Sequence, residues 1–511
     1  MAERGMVFLL GGGPGDPELI TERARRRLGE ADLVLYDALI HPELLTLARP
    51  GAELQFVGKR AGRASERQGE INRRMVEAAL AGRRVARLKG GDPYLFGRGS
   101  EEAEALAAAG IAFEVVPGVP SPLSATAYAG ISLSHRELAS SIAYVTATES
   151  PDKDQSIHDW SKLATATQTL VIFMGRRRLA ALMQTLMDHG RAPDCPAAVI
   201  ASASLPSQRT VVATVATLAH EVEAADLGTP ALTVVGEVVR LRERLRWYDN
   251  KPLFGKRVLL TRPRAQAEAM VRALRDAGAE PLCVPAIAIE PAPDTAALSD
   301  AVARAAEHDW IAFTSANAVA AFFDELERSQ RDARSLGGVG LAAIGKATAQ
   351  ALRDRGLRPD LTPQAQRGEG LAAALIAAHG GTLEGVRVLL PRAERAREAL
   401  AEALVAAGAQ LFVVAAYRTV AADADDLAQL RTLIEAGELD VVTFTSGSTV
   451  EHTLAALGPA GPQLLAKITL ASIGEVTTEA ATRLGLSIDI TAEDTSAEGL
   501  VAALKAHFQS D

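Results

Sequence analysis

Short apolar runs at residues 6–10, 31–35, 84–88 and 113–116 alternate with amphipathic stretches at 21–28, 68–81 and 100–109. Runs of that length read as buried strands, and the longer periodic stretches read as helices. Their alternation predicts α/β layers built on largely parallel strands. After Pro117-Gly118 the pattern restarts, with strands at 140–146 and 169–173 opening a second α/β unit that closes at 234–240. Residues 242–256 break the rhythm, being charged and carrying Trp247, Tyr248, Asn250 and Pro252. Within them, 249–254 form the expected linker.

From residue 255 onward the chain repeats itself. Gly255-Lys256-Arg257-Val258-Leu259-Leu260-Thr261-Arg262 recurs as Gly385-Val386-Arg387-Val388-Leu389-Leu390-Pro391-Arg392, 130 positions on. Met270, Leu274 and Gly278, the apolar face and stop of one helix, match Leu400, Leu404 and Gly408 at the same spacing. Phe313-Thr314-Ser315 returns as Phe444-Thr445-Ser446, and Ile344-Gly345 with Thr348 returns as Ile473-Gly474 with Thr477. Each repeat runs strand, helix, strand, helix, strand, helix. The Phe-Thr-Ser and Ile-Gly blocks follow apolar runs and precede helices. They therefore fall at the carboxyl ends of strands, where open α/β sheets take ligands. Hydroxyls at Ser315, Thr348, Ser446 and Thr477, beside helix-start N–H groups, suit carboxylates. The same hydroxyls also suit plain helix capping.

At 511 residues the chain is too long for one core. Apolar residues make up 48% and charged residues 23%, as in ordinary globular proteins. No run is long and apolar enough to span a bilayer, and the first strand is too short for a signal peptide. The two cysteines, Cys195 and Cys283, cannot build a disulfide framework or a thiolate metal site, so a cytoplasmic enzyme without a metal is expected. A net charge of −9 argues against nucleic-acid binding. Local basic clusters do occur, at Lys59-Arg60, Arg83-Arg84, Arg87 with Lys89, and Arg176-Arg177-Arg178; each singly reads as a solvated helix end or loop.

The first strand runs into Gly11-Gly12-Gly13-Pro14-Gly15-Asp16-Pro17. A dinucleotide fingerprint would need glycine at Asp16, and Pro14 lacks the N–H a phosphate would use. Close approach of backbone to a nucleoside without phosphate fits better. A second glycine loop, Lys89-Gly90-Gly91-Asp92-Pro93, holds an acid able to bind a ribose or an amine.

These two loops, together with Val34-Leu35-Tyr36-Asp37, Val57-Gly58-Lys59-Arg60-Ala61-Gly62, the stretch 87–99 and Val116-Pro117-Gly118, resemble the tetrapyrrole methylase superfamily. The Gly-Lys-Arg-Ala-Gly block and Ser134-His135-Arg136 are similar to its uroporphyrinogen-III C-methyltransferase branch. The resemblance covers residues 1–248, as subdomains of about 1–117 and 118–248. It implies S-adenosylmethionine in a cleft between two α/β domains, and transfer of methyl groups to C-2 and C-7 of uroporphyrinogen III to give precorrin-2. It also implies a homodimer formed through this half. By the same resemblance Pro14, Gly90, Gly91, Asp92, Leu95 and Met174 line the cofactor site. Asp37 is the base, Lys59 the acid or substrate anchor, and Arg60 a further substrate cation. A base is wanted because the alkylated ring must lose a proton, and cations are wanted because the substrate carries many carboxylates. Three positions depart from the family pattern: Pro120 with Ser121 after Gly118-Val119, Thr146-Ala147-Thr148, and Ala201-Ser202-Ala203. Pro120, Ser121 and Ala203 fall where the cofactor is expected, so the departures bear on methylation more than on fold.

The repeated half resembles uroporphyrinogen-III synthase, carried by Thr261-Arg262-Pro263, Phe313 to Asn317, Ile344 to Thr348, Tyr417, Phe444 to Ser448 and Ile473 to Thr477. The resemblance implies two α/β domains, 255–288 with 419–511 and 289–418, joined by a two-stranded connection. The reaction implied is closure of hydroxymethylbilane to uroporphyrinogen III with inversion of ring D. Tyr417 would assist loss of the hydroxyl, and Arg262, Ser315, Asn317, Thr348, Ser446, Ser448 and Thr477 would hold substrate. The whole reads as a bifunctional enzyme feeding sirohaem or cobalamin synthesis. Two other readings stay open on the residues: a methyltransferase of a later corrin intermediate, and a duplicated small-anion binding module.

Overall fold

The structure, a computed structural model, describes residues 5–58, 68–147, 158–365 and 367–509. The chain divides into two compact units, Met1–Gly255 and Lys256–Asp511.

In the first unit five strands make one sheet: β1 (Met6–Gly11), β2 (Leu33–Tyr36), β3 (Glu53–Phe56), β4 (Val85–Lys89) and β5 (Ala112–Val116). Their order is β3-β2-β4-β1-β5 and every pairing is parallel. Crossover helices force this, since parallel neighbours need a long connection. β4 is buried along its whole length. Val85 packs under the helices Gln68–Leu80 and Gly99–Ala108, while Ala86 and Leu88 face the opposite layer.

A second sheet holds β6 (Ile142–Thr146), β7 (Thr169–Phe173), β8 (Pro196–Ala201), β9 (Arg209–Thr214) and β10 (Ala231–Val235), in the order β6-β7-β10-β8-β9. Here the expectation of largely parallel strands is corrected. Only β6 and β7 run parallel, while β10 is antiparallel to both β7 and β8, and β9 is antiparallel to β8. The short link from β8 to β9 leaves room for a hairpin and none for a crossover helix.

The second unit carries β11 (Arg257–Leu260), β12 (Glu280–Cys283), β13 (Ile287–Pro291), β14 (Trp310–Phe313), β15 (Gly340–Ala343), β16 (Arg387–Ala393), β17 (Gln410–Ala421), β18 (Val441–Phe444), β19 (Thr469–Ser472) and β20 (Ile490–Thr491). One sheet runs β12-β11-β18-β19-β20, all parallel. The other runs β13-β17-β16-β14-β15, parallel except where β13 pairs antiparallel with the end of β17. The chain leaves the first of these sheets after β12, builds the second, and returns at β18. Each sheet has its own apolar core, around Phe444 and Leu259 in one, and around Phe313, Phe322 and Leu389 in the other.

Candidate functional site

Three strand ends meet in the first unit. The Gly12 N–H donates to the Lys89 carbonyl at 2.7 Å, and the Gly91 N–H donates to the Gly13 carbonyl at 2.6 Å. A Cβ on Gly118 would lie 2.2 Å from the Gly91 oxygen, and one on Gly11 would lie 2.4 Å from the Gly118 nitrogen. No side chain can enter there, so backbone packs directly on backbone and makes a bare floor at the strand ends. Asp92 accepts from the Gly118 N–H at 3.0 Å and from the Tyr94 N–H at 2.8 Å, tying two of these loops together.

Gly90 and Gly91 lie on this floor. Pro120 begins the helix Ser121–Tyr128, and Ser121 sits within 4 Å of where a Gly91 side chain would be. Pro14 precedes Gly15, whose α-carbon faces the Ala203 carbonyl and Ser204. The Asp16 N–H donates to Ser204 Oγ at 3.1 Å, and the Tyr128 hydroxyl donates to Asp16 Oδ2 at 2.9 Å. On the far wall Phe96, next to half-buried Leu95, packs edge-on against Phe173 with ring centroids 4.8 Å apart. Met174 follows in the left-handed region at φ 55°, with half its surface open. A floor of backbone beside open aromatic and thioether side chains fits a nucleoside that carries sulfur and no phosphate.

Asp37 follows β2 at the same strand-end edge. Its Oδ1 accepts from the Leu39 N–H at 3.1 Å, and its Oδ2 lies 3.8 Å from a guanidinium nitrogen of Arg87. Arg87 and Lys89 are both buried and both donate to Oε1 of the fully buried Glu102, at 3.0 and 2.9 Å. Burial and the neighbouring Arg87 hold the Lys89 ammonium below its ordinary range, against the pull of Glu102. Lys59 and Arg60, the other cations expected here, lie outside the described residues.

In the second unit Ser315 and Ser446 cap the helices Ala316–Arg328 and Gly447–Leu457. Ser315 Oγ accepts from the Ala318 N–H at 3.0 Å and meets the Tyr417 hydroxyl at 3.1 Å. Asn317 Oδ1 accepts from Gln266 at 2.6 Å, which links the two sheets' strand-end loops. Lys346 pairs with Asp494 across the same gap at 2.9 Å. Arg262 is half-buried, its Nε is buried without a hydrogen-bond partner, and desolvation lowers its pKa. Ser448 is half-buried, whereas Thr348 and Thr477 are almost wholly buried in the first turns of their helices. Ser315, Asn317 and Tyr417 thus share one edge, with Gln266, which the sequence did not single out, reaching it from the other sheet.

Residues 6–219 match the family model for Tetrapyrrole (Corrin/Porphyrin) Methylases, and residues 268–502 match that for Uroporphyrinogen-III synthase HemD. A porphyrin biosynthesis protein HemD from Ruminiclostridium josui is 36% identical over 504 residues, covering 98% of both chains. The chain belongs to this family: a tetrapyrrole methylase fused to a uroporphyrinogen-III synthase. A siroheme synthase from Azotobacter vinelandii is 47% identical to the methylase half over 248 residues, 48% of this chain and 53% of that one. The chain thus spans about half the length of that relative. A uroporphyrin-III C-methyltransferase structure from Thermus thermophilus is 41% identical, covering 46% of this chain and all of that one, with a TM-score of 0.41.

The methylase half holds one functional candidate that sequence reasoning missed. Glu102 stands in the first turn of a helix beginning Gly99-Ser100-Glu101-Glu102, where acids are ordinarily solvated. Only the fold turns it inward. In the synthase half the counterpart is Arg392, which the repeat pairs with Arg262; its Nε too is buried without a partner, while Glu398 accepts from its other two nitrogens at 3.1 and 2.7 Å. The 130-residue offset was the signal for it. Among the described residues no group of His, Cys, Asp and Glu could hold a metal ion, and no helix is long and apolar enough to cross a membrane.

Proposed function

We propose that the synthase half closes hydroxymethylbilane to uroporphyrinogen III with ring D inverted, and that the methylase half then methylates C-2 and C-7 to give precorrin-2. The observation that carries this is the presence of both family matches, over residues 6–219 and 268–502, in one chain. Bound S-adenosylmethionine supplies an electrophilic methyl group on its sulfonium. Pro14, Gly90, Asp92, Leu95, Pro120, Ser121, Met174 and Ala203 would surround it above the backbone floor at Gly11, Gly91 and Gly118. The Asp37 carboxylate accepts the proton that the methylated ring must lose. Lys59 and Arg60 anchor the substrate's carboxylates.

In the synthase half the Tyr417 O–H donates to the departing hydroxyl, with Ser315 aligning it. Asn317, Ser446 and Ser448 face the substrate's carboxylates with Arg262, and Thr348 and Thr477 stand beside them in the first turns of their helices. An unpaired guanidinium gains most from a carboxylate when it is already partly desolvated. The same reading takes 1–117 and 118–248 as the methylase subdomains, 249–254 as the linker, and 255–288 with 419–511 and 289–418 as the synthase subdomains. It includes a homodimer through the methylase half.

Purified protein given fresh hydroxymethylbilane tests the proposal. Without cofactor, isomer III should exceed the isomer I that forms spontaneously. With S-adenosylmethionine, dimethylated precorrin-2 should follow and should be lost in Asp37→Ala. Isomer I alone would sink the synthase assignment, and isomer III with no methylation would sink the other.

A further inference from the structure

We propose that Glu102 is a positioning residue for methyl transfer, holding Arg87 and Lys89 in place beside the Asp37 carboxylate. The inference rests on the reading of Asp37 as the base. It begins with register. β2 and β4 pair in parallel with Leu35 opposite Arg87 and Tyr36 opposite Leu88, so Asp37 comes level with Lys89. Alternate residues share a face, and the face bearing Leu33, Leu35 and Val85 is covered by the helices Gln68–Leu80 and Gly99–Ala108. Arg87 and Lys89 project into that covered layer, where water is excluded.

Glu102 meets them there. Its Oε1 accepts from Arg87 Nε at 3.0 Å, Lys89 Nζ at 2.9 Å and Gln68 Nε2 at 3.1 Å, while Oε2 is buried with no partner. Two buried cations and one carboxylate leave an uncompensated positive charge, which a protein interior does not tolerate. Asp37 is the anion that balances it. The Arg87 guanidinium is fixed on its other sides, with one nitrogen on Glu102 and another donating to the Leu35 and Leu88 carbonyls at 3.3 and 3.2 Å. The nitrogen left over points at Asp37 Oδ2 from 3.8 Å. At that distance it makes no hydrogen bond to the oxygen that must take the proton, which stays free. Among the described residues, the charged groups facing Asp37 from the neighbouring elements are Arg87 and Lys89 of β4, with Glu102 of the helix behind them.

The signs differ between members of the set, which makes the inference testable. Removing a cation should weaken the ionised Asp37, and removing Glu102 should leave the cations unopposed. In the full-length protein, Arg87→Gln and Lys89→Met should move the acid limb of the kcat profile for methylation to higher pH. Glu102→Gln should move it to lower pH. Each variant should lower kcat by about tenfold or more, within the range of general-base contributions, with the KM for S-adenosylmethionine little changed. Binding of S-adenosylmethionine by each variant monitors that the first unit is intact. Should Glu102→Gln fail to fold, the Lys89→Met profile decides. Unmoved limbs, or limbs moved in one direction by all three variants, would overturn the inference. Asp37→Asn separates the two levels: if it still methylates, the base assignment itself fails, whereas an inactive Asp37→Asn beside unmoved limbs removes only the role of Glu102.

Discussion

Ser315 uses one oxygen twice, accepting the N–H that caps its helix and meeting the Tyr417 hydroxyl at 3.1 Å. The Tyr417 ring is packed into the core around Phe313, so its hydroxyl is held at the strand ends with little rotamer freedom. Tyr417→Phe keeps that packing and deletes only the O–H donor. We expect stability to fall by no more than about 1 kcal/mol, while the proportion of isomer III drops toward the spontaneous mixture. Methylation of uroporphyrinogen III supplied directly should be unchanged, and an undiminished isomer III fraction would remove the tyrosine from the mechanism. The glycines of both loops could be picked out by their spacing after strands, whereas Asp37 and Tyr417 were named through the family resemblance. Glu102 could not be picked out, because nothing local distinguishes a first-turn glutamate that is solvated from one that is buried against two cations.

Among the elements, β1, β2, β4 and β5 were legible as apolar runs, as were the strands leading into the repeated blocks. β3 and β9 were not, and the reason is physical. Both are edge strands with largely exposed or half-buried residues, so neither carries a continuous apolar signature. The direction of β10 was equally hidden, since a strand's own residues are the same whether its neighbours run with it or against it. β17 is the other case. Its twelve residues serve two partners, pairing with β16 in parallel over its first part and with β13 in antiparallel over its last. A register shift at Arg392/Ala393 lies where Tyr417 takes its place in the ladder. Irregularities of this kind re-aim side chains near sites, and here one falls beside the tyrosine.

Across the whole molecule two compact units, each with its own cores, share one chain. Separate cores unfold separately when few contacts couple them. Calorimetry should therefore show two transitions, and S-adenosylmethionine should raise only one of them. At a hundredfold excess over its Kd the ligand adds about 2.7 kcal/mol to the unit that binds it. A single transition that shifts as a whole would contradict the assignment of the cofactor to the first unit alone. The proposed homodimer belongs to this scale too. It predicts a sedimenting mass of twice 53.6 kDa for the full chain, and a mass of one chain would rule it out.

By itself the sequence determined that there are two α/β halves, that the second is internally duplicated, and which loops stand at the carboxyl ends of strands. It could do so because hydrophobic period, glycine spacing and repetition are written residue by residue along the chain. Tertiary structure alone decided what meets across those loops: Gly118 against Gly11 and Gly91, Ser315 against Tyr417, Gln266 against Asn317, and Glu102 beneath Arg87 and Lys89. Such contacts join residues from 13 to more than a hundred positions apart. They depend on strand order, register and the face a helix turns inward, and no local stretch of chain encodes any of these on its own.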